Sequence, residues 1–350
     1  MSADPVARWV DLDGPVHYLD QAGPVRGERP VVVCVHGLGG SHANWHDLGP
    51  LLARHRRVIA VDLAGHGRTP RAGRSASVPA NVGLLARFLE EVVEGPAVVV
   101  GNSMGAGIAV LLAAARPAAV AGLVLIGPVL PRRRTDVPRG LVARQVALCA
   151  LPPLGERVLA RRRARLGAEG LIAETLAVTC ADPARVSPGM RRLAVELCAS
   201  RAAGPDSEAA YLEAARSVGL LVTRAAAYRA AIARVEQPVM VLQGALDRLA
   251  ARGGLEQLRA LRPDWPVHVL DDVGHVPQIE APDRTAGLVL DWLSRVPHGT
   301  AAAPAGWGAV TAERHRRPGG AGAGVLSLLG RVPWWGAADP VGRVAGGPGG

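Results

Sequence analysis

The segment AVVVGNSMGAGIAVLLAAAR, residues 97–116, sets an asparagine and a serine in the middle of an otherwise apolar run. Its length approaches that of a membrane span, but Asn102, Ser103, Gly101, Gly105 and Gly107 interrupt the centre and argue against one. AVVV (97–100) reads as a buried strand and AGIAVLLAAAR (106–116) as a helix, which makes GNSMG (101–105) the turn between them. A serine on such a turn is forced into a strained backbone conformation, and only small neighbours, Gly101 and Gly105 with Ala106 beyond, fit beside it. The helix that starts at Met104 directs its free N–H groups toward the serine oxygen. The pattern alone proves little: with 11 serines and 43 glycines, G-x-S-x-G is expected by chance roughly 0.17 times in a chain of this composition. Its setting between a strand and a helix carries the weight.

On either side of this turn, PVVVCVH (30–36), RVIAVD (57–62), GLVLIG (122–127), PVMVLQG (238–244) and PVHVLDD (266–272) are short β-branched runs. They are spaced by helix-like stretches such as ANVGLLARFLEEVVE (80–94), GLEQLRALR (254–262) and DRTAGLVLDWL (283–293). Continuous apolar strands alternating with amphipathic helices imply parallel strands covered on both faces, an α/β class. Ahead of them, ARWVDL and VHYLDQA flank Asp13-Gly14 and read as a hairpin. The alternation stops from about Pro128 to Arg234, where Ala/Leu/Arg-rich helical segments take over. The expected organisation is a mostly parallel eight-stranded sheet flanked by helices, built from residues 1–128 and 235–297, with a helical cap (129–234) inserted after the sixth strand. From His298 onward, 30 of 53 residues are Gly, Ala or Pro, and this tail is expected to be disordered. Its apolar island VLSLLGRVPWWG (325–336), which contains Trp334 and Trp335, reads as a collapsed patch, with docking on the body, a partner or a lipid surface as the alternative.

At 49% hydrophobic and 20% charged, the 350 residues have the composition of an ordinary globular protein. The net charge of +10 is unevenly spread: residues 129–234 carry 18 Arg against 9 acids, whereas the two sheet-forming segments together are slightly acidic. All the basic residues are arginine, which points to GC-rich coding. The N-terminus lacks a cationic start followed by an apolar core, so a secretory signal is not expected. Cys34, Cys149, Cys180 and Cys198 show neither metal nor redox spacing and read as reduced thiols of a cytoplasmic protein.

A serine hydroxyl is a poor nucleophile at neutral pH; it needs a base, and the base needs an orienting acid. Both should follow Ser103 at the carboxyl edge of the sheet. Asp247 follows strand PVMVLQG, and His275 follows strand PVHVLDD on a loop just after a glycine. The chain order Ser103, Asp247, His275 suits this sheet. Asp271 and Asp272 are rivals for the acid but sit too near His275, and His268 lies within its strand. The glycine-rich HGLGGS (36–41) supplies a turn whose backbone can face an oxyanion, with Leu38 and Met104 as the expected N–H donors and His36 as a brace.

HGLGGS (36–41), DLAGHGRT (62–69), GNSMGA (101–106), GALD (244–247) and GHVPQIEAP (274–282) together resemble the α/β-hydrolase superfamily, in order, over residues 1 to about 296. The resemblance implies a Ser103/Asp247/His275 triad and a cap that shapes substrate access. Asn102 before the serine is similar to hydrolases that cut carbon–carbon bonds in aromatic ring-cleavage products. HGLGGS lacks their Ser-Gly-Pro-Gly character, however, and Val276 stands where they carry Trp. A serine nucleophile sets the chain apart from haloalkane dehalogenases and epoxide hydrolases, which use Asp. The expected activity is hydrolysis of a carboxylic ester, thioester or lactone, with carbon–carbon bond hydrolysis as the alternative and a non-catalytic binding protein as the alternative of another class.

His42 and His46 in HANWH stand four apart, but the glutamate of a zinc-protease motif is missing and no metal is expected. HGLGGS has neither the Lys nor the order of a phosphate loop, and no cofactor is expected. His66 reads as structural. In ERVLARRRARLG (156–167), Arg157, Arg161 and Arg165 share one helix face, read as solvated, with an anionic substrate or weak contact with a lipid surface as the alternative. Nucleic acid is not an expected partner, since the arginines lack interleaved aromatics. GLVARQVALCALPPLG (140–155) is apolar and is expected to line the entrance above Ser103 for an apolar acyl or alkyl group, with core packing alone as the alternative. Oligomeric state does not follow from the sequence.

Overall fold

The computed structural model describes residues 4–23, 30–131, 152–202, 206–249 and 253–296. Most of the apolar stretch at 140–155, Cys149 and the Gly/Ala/Pro-rich tail with Trp334 and Trp335 lie outside these residues.

Eight strands form one sheet: β1 (Val6–Asp11), β2 (Pro15–Gln21), β3 (Val32–Val35), β4 (Val58–Val61), β5 (Ala97–Asn102), β6 (Val120–Ile126), β7 (Val239–Gly244) and β8 (Val267–Leu270). Their spatial order is β1-β2-β4-β3-β5-β6-β7-β8. The β1/β2 hairpin turns at Asp13-Gly14, where both residues take positive φ (57° and 119°) and Asp11 Oδ1 accepts the Gly14 amide at 2.8 Å. β2 then pairs antiparallel with β4, and every later pairing is parallel.

Because side chains alternate across a strand, each apolar run feeds two cores. On one face, Val33, Val35, Ile59, Val61, Val99, Leu123, Leu125 and Val241 pack against α2 (Val78–Phe88) and α3 (Met104–Ala115). On the other, Val32, Cys34, Val58, Ala60, Val98, Val100, Val124, Met240 and Leu242 meet α1 (Leu48–Ala53) and, beyond β8, the C-terminal helix at Pro282–Arg295. α2 ends in a π-helical turn, Leu89–Val93, closed by Glu94 at φ 59°, so the amphipathic stretch 80–94 does not run as one α-helix.

Between β6 and β7 the described chain is helical: α4 (Pro152–Thr179), broken at Gly167 (φ 64°), α5 (Pro188–Ala202), α6 (Ser207–Thr223) and α7 (Ala225–Ala233). Polar contacts fasten these helices to the sheet's carboxyl edge. Glu213 of α6 accepts from Ser75 Oγ (2.5 Å) and pairs with Arg71 (3.1 Å), and Ser217 Oγ accepts the Val78 amide (2.9 Å). Beyond β7 follow α8 (Gly254–Leu261), the short α9 (Pro277–Glu280) and α10 (Pro282–Arg295).

Candidate active site

Parallel pairing brings the carboxyl ends of β3, β5, β6, β7 and β8 to one edge, and the loops leaving that edge carry the residues singled out in the sequence. Ser103 lies immediately between β5 and α3 with φ 54° and ψ −112°, a conformation costly for any L-residue. The turn is held by backbone crowding. A Cβ on Gly101 would lie 2.5 Å from Gly105 O, and one on Gly105 would lie 2.1 Å from Val35 O, so β3, β5 and α3 approach too closely for any side chain there. Ser103 N–H donates to Ile126 O of β6 at 2.9 Å, and the residue itself is half-buried.

The β3 loop runs directly beside this serine: a Cβ on Gly37 would sit 3.2 Å from Ser103 Cβ. Among the described residues, the amides of Leu38 and Met104 donate to no other group. The loop is braced from below. The His36 ring donates from Nδ1 to Gly37 O (2.7 Å) and accepts the Leu63 amide at Nε2 (3.1 Å), which defines its tautomer. Burial pushes its pKa down to about 4, so this ring stays neutral near pH 7 and acts as a strut.

Asp247 and His275 meet. The His275 ring donates from Nδ1 to Asp247 Oδ2 at 2.7 Å, with side chains 8% and 2% exposed, leaving Nε2 as the ring's remaining acceptor. The carboxylate also accepts from Gln243 Nε2 (2.7 Å) and the Leu249 amide (2.7 Å). Neither rival acid takes this place: Asp272 is engaged with Arg185 (2.9 Å) and Arg284 (2.6 Å) at the surface, and Asp271 is exposed. His275 N–H donates to Thr179 O of α4 (2.6 Å), and Gly127, at φ 48°, packs against its ring.

Asn102 links the serine turn to the histidine loop, since its Nδ2 donates to Ile126 O (3.1 Å) and to His275 O (3.3 Å). Among the described residues no hydrogen bond joins Ser103 Oγ to His275; such bonds commonly tighten only when substrate is bound.

Several contributors escape sequence reasoning. Glu280, 3% exposed, accepts the amides of Ala181 (3.1 Å), Asp182 (2.7 Å) and Gly274 (2.8 Å), stitching the end of α4 to the His275 loop. Asp62 accepts from the rings of His17 and His42, both at 2.8 Å, and from the amides of His42 (2.7 Å) and Arg68 (3.0 Å). Burial alone would raise its pKa, yet these hydrogen bonds outweigh it and hold the carboxyl well below the usual range. His42 therefore turns to Asp62, while His46 faces Asp47 (3.9 Å) and Gly189, so the two do not converge as metal ligands. His17, His42 and Asp62 do cluster, as a buried network whose carboxylate is fully hydrogen-bonded. Only the motif DLAGHGRT hinted at it, because His17 is 45 residues away.

A cleft of about 500 Å³, lined by Gln21, Trp45, His46, Asp47 and Ser187, opens on the α1 side of the sheet, and Ser103 does not line it. A family model described as the alpha/beta hydrolase fold matches residues 30–282. The chain belongs to this family. The α/β-hydrolase is 30% identical over 285 residues to a pimeloyl-[acyl-carrier protein] methyl ester esterase of Aromatoleum aromaticum, covering 75% of this chain and 98% of that one. It is 41% identical over 117 residues to lipase LipV of Mycobacterium tuberculosis, a match spanning 33% of this chain and less than half (42%) of the lipase. In structure the α/β-hydrolase resembles haloalkane dehalogenase DbeA of Bradyrhizobium elkani, with a TM-score of 0.70 at 23% identity over 84% of this chain and 99% of that one. That likeness speaks for the fold alone. No helix among the described residues is long and apolar enough to cross a membrane.

Proposed function

We propose that this α/β-hydrolase cleaves a carboxylic ester, thioester or lactone through an acyl-enzyme on Ser103. His275 takes the Ser103 proton as the oxygen attacks the carbonyl carbon, and Asp247 orients the imidazole and stabilises the imidazolium. The amides of Leu38 and Met104 hold the oxyanion. As the tetrahedral intermediate collapses, His275 returns its proton to the leaving alkoxide or thiolate. Water deprotonated by the same imidazole then attacks the acyl carbon, freeing the acid and restoring Ser103.

The observation that carries this reading is the buried 2.7 Å Asp247–His275 pair, set at the same sheet edge as a serine held at φ 54°. Relatives named as a methyl ester esterase and a lipase support ester chemistry. Carbon–carbon bond hydrolysis ranks below it, because Asn102, the residue that prompts it, has its amide group occupied by two backbone carbonyls. We read residues 129–234 as the cap over this edge, and the free thiols of Cys34, Cys180 and Cys198 support a cytoplasmic setting.

A fluorophosphonate probe should label the wild-type protein and not Ser103→Ala. A p-nitrophenyl ester panel from short to long acyl chains, run beside a vinylogous diketone, separates the chemistries. Turnover of the diketone alone would reverse the ranking, and an unlabelled, well-folded protein would favour a binding role.

A further inference from the structure

The floor of the candidate oxyanion site and the helical insertion meet at Gly39. Leu38 packs its side chain against a small apolar cluster of Leu212 and Ala215, with Leu159 beside it. The Tyr211 ring edge lies over Gly39, where an added Cβ would come within 3.1 Å of it. Arg201, in the last turn of α5, reaches the same point, its Nη1 at 3.4 Å from Gly39 O, the outer limit of a hydrogen bond.

Arg201 stands in this seam without a counter-charge among the described residues. Other arginines of this seam are matched: Arg68 with Glu196, Arg71 with Glu213, and Arg163 with Glu208. Arg201 is half-buried and makes no ion pair among the described residues. A guanidinium partly removed from water without an anion bears an uncompensated desolvation cost, and a carboxylate arriving in two parallel hydrogen bonds would relieve it. Its positive field also adds to the burial that keeps His36 and His66 neutral, so these rings do not compete for the anion.

We propose that Arg201 is an anion-binding subsite that takes a carboxylate on the acyl part of the substrate; the proposal rests on the Ser103 hydrolase reading. A Cβ on Gly37 would sit 3.2 Å from Ser103 Cβ and Gly39 lies two residues further on, so chain reach puts the guanidinium within on the order of 10 Å of the nucleophile. That span fits a half-ester of a dicarboxylic acid with about four methylenes between its carbonyls. Arg201 is a binding residue here and takes no part in proton transfer.

The test compares p-nitrophenyl hydrogen adipate with its methyl-capped neutral diester, following nitrophenolate release by wild type, Arg201→Gln and Arg201→Lys. Wild type should prefer the half-ester, and the preference should shrink with added salt. Arg201→Gln should lower the ratio of kcat/KM values, half-ester over diester, about ten- to hundredfold, mainly through KM, with Arg201→Lys intermediate. An unchanged ratio in Arg201→Gln, or no preference in wild type, overturns the subsite. A purely bracing role for Arg201 would depress both esters equally and so also leave the ratio unchanged. Calorimetric titration of the half-ester into Ser103→Ala and Ser103→Ala/Arg201→Gln separates the two readings. Arg201-dependent binding without wild-type turnover sinks the hydrolase reading and keeps the anion site, whereas turnover without Arg201-dependent binding does the reverse.

Discussion

Asp247 Oδ2 lies 2.7 Å from His275 Nδ1, and both side chains are almost completely shielded from solvent. A carboxylate in that position fixes which ring nitrogen carries the proton. Asp247→Asn should therefore keep the fold yet offer an amide that can stabilise the wrong tautomer. Its kcat on p-nitrophenyl esters should fall about 10³- to 10⁴-fold. A loss of less than tenfold would remove Asp247 from the proposed triad.

Ser103 sits at φ 54° without the freedom of glycine. Ser103→Gly should abolish turnover while raising unfolding free energy relative to Ser103→Ala by about 1 kcal/mol, because glycine adopts this conformation without the Cβ penalty. Urea denaturation of the two inactive variants measures the difference. Equal stability would mean that the turn stores no strain at this residue.

Glu280 joins three amides from two elements that do not adjoin in sequence. Glu280→Gln keeps the size but loses the charge and can satisfy fewer of these N–H groups. A cost of about 2–4 kcal/mol is expected, together with reduced kcat, since Gly274 positions His275. Hydrogen exchange should show the change at Gly274, Ala181 and Asp182. Protection there matching wild type would contradict the linking role.

Stability should fall in mild acid. Burial pushes His36 down to about 4 and His66 down to about 3, whereas in the unfolded chain both return to about 6.5. Between those values the unfolded state binds more protons, so stability is full above pH 6.5 or so and declines as pH drops toward 4, by on the order of 3 kcal/mol per ring. Asp62, with its carboxyl held low, adds a loss of the same sign below the ordinary carboxylate range. Urea midpoints at pH 7, 5.5 and 4.5 test this, and His66→Asn should flatten the slope. A midpoint independent of pH across that range would show that the rings protonate without unfolding.

Much of the sheet was legible in the residues because parallel strands buried on both faces must be continuous apolar runs, as in VVCV and AVVV. The serine turn was legible too, since the crowding around Gly101 and Gly105 leaves only glycine at those positions. Asp247 and His275 were readable as loop residues after strands, yet their 2.7 Å contact depends on β7 and β8 pairing in a register that no local pattern states.

Other features come only from long-range packing. Asp62 hydrogen-bonds to His17 across the antiparallel β2/β4 pair, and Glu280 finds Ala181 some 99 residues away. A buried acid looks like any other acid in sequence, because what keeps it charged is the set of donors that folding brings to it. Local sequence thus determined where strands, helices and the strained serine lie, through apolar periodicity and the steric limits of glycine turns. Which polar groups meet, and which arginine of a basic insertion comes to lie at Gly39 without an ion pair among the described residues, was decided by tertiary structure, because hydrogen bonds and charge pairs depend on distances in space rather than separations along the chain.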